Sequence, residues 1–349
     1  MNRTIRIGII GAGAIGQVHA DSCRQVPGVE VVAIAEKGLA RAKERAAVVG
    51  VNRYFGDYRK MLALQEIDAV NVCTPNYLHC PMTVDALKAG KHVLCEKPMA
   101  LNTAEAKNMV SAARRAKRIL MMAFCYRFSA QGQAAKNLID AGEVGQVYHI
   151  RVEYIRRRGV PGLGGWFTRK RQAGGGPMLD VGVHFLDLAM WLAGFPDPRT
   201  ATAASHRILG HRKDYTCLGM WGTTPVPGGP FEVEDLLGGF VRFRNGVSLR
   251  VEAAWACNSE ARGFLEILGD KGGLHILPQL ELYGQKNGQL LDVKPQLRKV
   301  DEYVLEMEHF ADCIRRGKRP IPTGDEGVKV QRIIDALYKS AKLGREVEV

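Results

Sequence analysis

Gly11, Gly13 and Gly16 stand between an apolar run, Ile5–Ile10, and a stretch of helical character from Ile15 to Val26 that Pro27-Gly28 stops. This is the G-x-G-x-x-G spacing, which with a strand before and a helix after builds a dinucleotide cradle. Gly11 permits a tight turn, Gly13 lets backbone approach a pyrophosphate, and Gly16 lets helix and strand pack closely. The helix N-terminus, with Ala14 and Ile15, offers free N–H groups and partial positive charge to the phosphates. A second apolar run, Val29–Ala35, ends in Glu36, an acid placed to accept hydrogen bonds from the adenosine ribose hydroxyls. A carboxylate there repels a 2′-phosphate, so the pattern favours NAD. NADP stays open, because Lys37 and Arg41 stand within reach of such a phosphate.

The elements that must position this cradle follow in alternation. Ala40–Val49 reads as helix, Ala69–Cys73 as strand, Met82–Ala89 as helix, Lys91–Cys95 as strand, Thr103–Lys117 as helix and Ile119–Phe124 as strand. Repeated β-α units predict a doubly wound parallel sheet, which binds ligands at the carboxyl ends of its strands. Three loops fall at that edge: Gly11–Gly16, Thr74–His79 and Glu96-Lys97-Pro98. From about residue 125 the pattern changes to a second, α+β domain. Gln146–Tyr154 alternates, Asn245-Gly246 separates two strand-like runs, and Gly269-Asp270-Lys271-Gly272 separates two more. These are hairpin signals, and they predict an open, mostly antiparallel sheet. The expected domains are 1–124, with helix 325–349 returning to pack on it, and 125–324.

At 349 residues the chain suits two domains, and its 46% hydrophobic content excludes a disordered or fibrous protein. The net charge of +13 raises polyanions as partners. The basic runs Arg156-Arg157-Arg158, Arg169-Lys170-Arg171 and Arg315-Arg316-Gly317-Lys318-Arg319 lie in no nucleic-acid module, so no nucleic acid is predicted. None of the eight cysteines forms a C-x-x-C pair, which reads as buried thiols in a reducing, cytoplasmic setting. His79-Cys80 and His92-x-x-Cys95 fit no standard zinc ligand set, and no metal is predicted. No apolar run of about 18 residues is present, so no membrane span is expected.

Five motifs in order give the chain a specific resemblance: Thr74-Pro75-Asn76-x-x-His79, Glu96-Lys97-Pro98, Tyr126-Arg127-Phe128, the run from Gly174 to Asp187, and Gly317-Lys318-Arg319-Pro320 before Asp325-Glu326-Gly327. With them the sequence resembles the glucose–fructose oxidoreductase and inositol dehydrogenase (Gfo/Idh/MocA) family over essentially its whole length. The resemblance implies a Rossmann domain followed by an open-sheet domain, a homodimer or homotetramer, and catalytic work for Lys97, Asp180 and His184. Local chemistry agrees with it. Pro177–Ala193 reads as one helix, in which Asp180 and His184 are i,i+4 and share a face, Asp187 lies near that face, and Leu179, Val183, Leu186 and Met190 take the packed side. His184, with a reference pKa of ~6.5, suits the base for a hydroxyl proton. Lys97 suits a donor to the reacting oxygen, or itself the acid/base if partial burial lowers its pKa. Asp180 would bind substrate hydroxyls or orient the other two.

Around them, Thr74, Pro75, Asn76, His79, Glu96, Lys97 and Trp166 are expected at the cofactor, and Lys97, Tyr126, Arg127, Arg157, Asp180 and His184 at the substrate. The Gly159–Phe167 loop is expected to act as a lid, and Arg157, Arg158 and Arg169 to read any anionic group on a sugar-like substrate. His206, His211 and Asp214 fall in the segment 208–230, which departs from the family pattern and whose role the sequence leaves open. The leading reading is an NAD(P)-dependent oxidoreductase acting on a secondary hydroxyl of a sugar, glycoside or cyclitol. The alternatives are an NAD-dependent glycosidase working through transient C3 oxidation and elimination, and a non-catalytic nicotinamide-sensing regulator.

Overall fold

The computed structural model describes residues 3–218, 220 and 224–349, so part of the 208–230 segment lies outside the described residues. The chain forms two compact units, Met1–Cys125 with Asp301–Val328, and Tyr126–Val300 with Lys329–Val349.

In the first unit, strands β1 (Ile5–Ile10), β2 (Val29–Ala35), β3 (Tyr54–Phe55), β4 (Ala69–Val72), β5 (His92–Glu96) and β6 (Leu120–Ala123) form one parallel sheet in the order β3-β2-β1-β4-β5-β6. Helices α1 (Ala14–Gln25), α2 (Leu39–Val49), α3 (Tyr58–Leu62), α4 (His79–Lys88) and α5 (Thr103–Ala116) connect them. Ile5, Ile7 and Ile9 are wholly buried, as expected of a central strand covered on both faces. The strand order reverses between β1 and β4, whose ends are level: Ile10 pairs with Val72. That reversal is the crevice where doubly wound sheets take ligands.

The second unit holds α6 (Ala130–Asp140), β7 (Val147–Ile155), the short α7 (Lys170–Ala173), α8 (Val183–Leu192), β8 (Pro198–His206), β9 (Leu236–Phe243), β10 (Ser248–Ala254), β11 (Arg262–Gly269), β12 (Gly273–Leu277), β13 (Glu281–Lys286) and β14 (Gln289–Val293). With the tail strand β15 (Val347–Glu348) they make a nine-stranded sheet, β14-β13-β12-β11-β7-β10-β9-β8-β15. Only β7 and β10 pair in parallel. Both expected hairpins form, at 244–247 and 270–272. Alternation sorts the faces: Leu249 and Val251 are buried while Arg250 between them is exposed.

The expected single helix over Pro177–Ala193 opens with a wide π-type turn, Met178–Gly182, before α8 begins. Leu179, Val183, Leu186 and Met190 are all buried on its packed side. Gly182 has a steric reason, since a Cβ there would meet Met178 Sδ at 2.8 Å and Ala253 Cβ of β10 at 3.1 Å.

The C-terminal course differs from the expectation. Helix α9 (Glu302–Arg316) belongs to the first unit, where it packs on α1. Helix α10 (Gly324–Leu343) starts in the first unit and ends in the second, so 325–349 does not return to the first domain as a block. The reason is the tail, where Val347 pairs with Ala201 and covers the edge of β8.

Arg127 also departs from its expected place at the substrate. It is fully buried, and its Nε and Nη2 donate to the two Asp187 oxygens at 2.8 and 2.7 Å. The Trp191 and Phe195 rings flank the guanidinium. Asp187, expected near the catalytic face, is equally buried. The pair is a core bracket between the segment before α6 and α8. Removing one partner strands a buried charge, so Asp187→Ala is expected to cost about 3–5 kcal/mol in urea unfolding. The paired change Arg127→Met with Asp187→Leu should cost far less.

Candidate active site

The first unit gathers the cofactor-type residues at the carboxyl edge of its sheet. Gly11 has φ +88°, and a Cβ on it would lie 2.5 Å from the Cys73 carbonyl oxygen. A Cβ on Gly16 would lie 2.1 Å from the Gly11 oxygen. Gly13 alone faces open space, with nothing within 4 Å of an added Cβ. Packing thus demands the outer glycines, and the middle one leaves backbone exposed where a pyrophosphate must approach. The residues present fit a dinucleotide.

Glu36 closes this cradle. Its carboxylate accepts from Ala12 N at 2.9 Å and Lys37 N at 3.1 Å, and Arg41 Nε lies 3.7 Å away. Arg41 is therefore engaged with Glu36, while Lys37 is exposed.

The two neighbouring loops are tied to each other. After β4, Thr74 and Pro75 lead into a turn, Asn76–Leu78, with Asn76 buried. His79 is buried, and its two ring nitrogens each lie 2.7 Å from a carbonyl, of Pro98 and of Thr74. Burial lowers its pKa, against the opposing pull of those carbonyls and Glu96. His79 therefore braces the two loops, one through each ring nitrogen. Glu96 is turned inward likewise: Oε1 meets His19 Nε2 at 2.9 Å and Oε2 accepts from Lys97 N at 3.0 Å. Lys97 is half-buried at the start of the loop, before a cis bond to Pro98.

The second unit holds the other candidates. Asp180 sits in the wide turn and His184 in the first turn of α8. The Asp180 carboxylate accepts from Trp255 Nε1 at 2.9 Å and lies 3.8 Å from Arg156 Nη1. Tyr126 stacks on the His184 ring at 5.0 Å. Trp166 stacks on Phe167, whose ring meets Trp255 edge-on. Arg157 is exposed, and it is its neighbour Arg156 that reaches Asp180. Arg158 is spent on the chain, donating to Cys257 O and Asn258 Oδ1.

The glycine-rich loop before α7 is tied to the segment 226–230 by hydrogen bonds. Thr168 is buried and its hydroxyl accepts from Gly164 N and meets Gly165 O and Pro230 O, and Val226 N donates to Leu163 O at 2.7 Å. Three residues that sequence reasoning passed over complete the arrangement. Trp255 is wholly buried and orients Asp180. Glu234 accepts from Gly176 N at 2.9 Å and from the Tyr338 hydroxyl at 2.5 Å, which fixes the turn leading toward Asp180 and α8. Burial raises the Glu234 pKa, opposed by the Tyr338 hydroxyl. A Cβ on Gly175 would sit 2.1 Å from the Tyr338 oxygen, so the Gly174–Gly176 tract was the sequence signal for that contact.

Comparison with known proteins agrees with this arrangement. The model of the oxidoreductase family with an NAD-binding Rossmann fold matches residues 5–124, and that of the GFO/IDH/MocA C-terminal domain matches residues 133–275. The chain is 33% identical to D-glucoside 3-dehydrogenase of Escherichia coli over 99% of its own length and 97% of the relative's. It is 31% identical to 1,5-anhydro-D-fructose reductase of Ensifer adhaerens, over 99% and 98%. Among solved structures, levoglucosan dehydrogenase in complex with NADH superimposes with a TM-score of 0.86 at 25% identity, covering 99% of each chain. An NAD cradle in the first unit, an Asp–His helix in the second and these full-length likenesses place the chain in the Gfo/Idh/MocA family of NAD-binding sugar and cyclitol oxidoreductases.

Proposed function

We propose that this enzyme transfers hydride between NAD and a secondary ring hydroxyl of a sugar or glycoside, with Lys97, Asp180 and His184 as the catalytic residues. The observation that carries the reading is the shared edge of one parallel sheet. The Gly11–Gly16 loop, the Thr74–His79 loop and Lys97 all follow the carboxyl ends of adjacent strands β1, β4 and β5. Similarity to D-glucoside 3-dehydrogenase makes the C3 hydroxyl of a D-glucoside the first substrate to try.

Gly11–Gly16 and Glu36 would hold the nucleotide, which when bound accepts the hydride released from the carbinol carbon. His184 takes the hydroxyl proton, its ring held by Tyr126. Lys97 donates a hydrogen bond to the same oxygen and stabilises its developing negative charge. Asp180, kept in one orientation by the Trp255 indole, binds a neighbouring hydroxyl and fixes the sugar's pose.

Three outcomes test this. Lys97→Met and His184→Ala should each lower kcat by at least about 100-fold while the Kd for NAD stays within about threefold; turnover within threefold of wild type in both would sink the assignment. Titration calorimetry should show NAD bound about tenfold or more tighter than NADP, with Glu36→Ala erasing most of that preference. Mass analysis of nucleotide released on denaturing the fresh protein should find a substoichiometric amount, as for an exchanging cosubstrate. Near-stoichiometric retained NAD would instead favour the glycosidase chemistry and direct the next assay to aryl glycosides.

A further inference from the structure

Three residues past the last cradle glycine, α1 carries a histidine with no part in the chemistry so far. His19 is wholly buried, as is Asn71 of β4. Asn71 Nδ2 lies 3.2 Å from His19 Nδ1 and serves as its donor. That leaves the proton on Nε2, which donates to Glu96 Oε1 at 2.9 Å. The other Glu96 oxygen accepts the backbone N–H of Lys97 at 3.0 Å. A line of hydrogen bonds thus runs Asn71, His19, Glu96, Lys97 across β4, α1 and β5, with each link buried or half-buried.

We infer that His19 and Glu96 are positioning residues for Lys97: the His19 ring N–H holds the buried Glu96 carboxylate in place, and that carboxylate in turn fixes the Lys97 peptide at the head of its loop. The inference rests on the reading of Lys97 as catalytic. Both Glu96 oxygens bond the chain, one to the His19 ring and one to the Lys97 peptide. Burial acts to raise the Glu96 pKa, yet the hydrogen bond from His19 and the charge of Lys97 hold it below the ordinary value. The other titratable groups around this carboxylate are few. His79 faces it from α4, and Cys73 follows β4. From α9 come Tyr303, whose ring lies 6.4 Å from that of His19, and the buried Glu306; Cys125 adjoins Tyr303. Burial pushes the Cys73, Cys125 and Tyr303 pKa values up, so these three stay neutral. Glu302 and Glu306 of α9 are further acids in these surroundings. Glu96, bonded to both the His19 ring and the Lys97 peptide, is the carboxylate through which α1 acts on Lys97.

The test follows Lys97 directly. The full chain with NAD bound, carrying lysine labelled with 13C at the ε-carbon, is followed by NMR at fixed pH, with the Lys97 signal assigned by its loss in Lys97→Met. Glu96→Ala should shift and broaden the Lys97 signal, because the Lys97 peptide loses its side-chain acceptor. His19→Ala should act the same way, since the carboxylate loses the donor that holds it. His19→Gln, whose amide N–H replaces the Nε2 donor, should restore the wild-type signal. With D-glucoside as substrate, His19→Ala should lower kcat about tenfold or more and leave the KM for NAD within about twofold. The inference is overturned if the Lys97 signal is unchanged in Glu96→Ala and His19→Ala. It is equally overturned if His19→Ala loses NAD binding in proportion to kcat with no recovery in His19→Gln, the mark of a purely structural role. Full activity of Lys97→Met would instead remove the catalytic reading, independently of the Lys97 signal.

Discussion

The close approach of Gly16 to the Gly11 carbonyl is the constraint on which the first unit turns. With any side chain at 16, α1 would be pushed off the end of β1 by a contact that now leaves only 2.1 Å for a Cβ. Because α1 lies this near the sheet, its N-terminal N–H groups bear on the loop, where a phosphate gains from the helix dipole. The same closeness drives His19, one turn further on, into the interior against Asn71 and Glu96. One steric fact therefore positions both the cradle and the base of the loop that carries Lys97.

The second unit uses the same economy of side chains at the entry to α8. Gly175 and Gly176 make room for the Tyr338 hydroxyl and the Glu234 backbone, and Gly182 lets the wide turn lie against Ala253. A wide turn spaces residues at more than four per turn, yet four residues still come near to a full revolution, so Asp180 and His184 stay on one face. Arg127 and Asp187 then pin the body of α8 from within. Asp180 and His184 are thus held at the helix entry by close backbone contact and along its length by a buried ion pair.

What the sequence made legible was whatever repeats a local rule. The parallel sheet, both hairpins and the run Pro177–Ala193 followed from periodicity and turn residues, and the cradle from glycine spacing. Partnerships across the chain were not legible. Arg127 sits in a motif that looks exposed, and only the fold reveals that Asp187, 60 residues away, neutralises it. Arg156 and Arg157 are indistinguishable in a run of three arginines, because strand register alone decides which one reaches Asp180. Strands β13 and β14 escaped notice because β14 is exposed at every position and shows no buried alternation. The two-residue β3 is too short to show any period.

The basic balance of the chain has the same explanation. A net charge of +13 invites a polyanion as partner, but many of the arginines behind it are engaged internally. In the densest run, Arg315 caps the carbonyls of Arg3, Pro27 and Gly28, and Arg316 pairs with Asp312. Arg118 donates to the Gly90 carbonyl, while Arg250 and Arg262 both converge on the buried Glu153. A guanidinium that closes a helix end or neutralises a carboxylate has its donors oriented inward, and a phosphate backbone would have to displace those bonds before gaining its own. Several of these arginines thus hold turns and strand edges together.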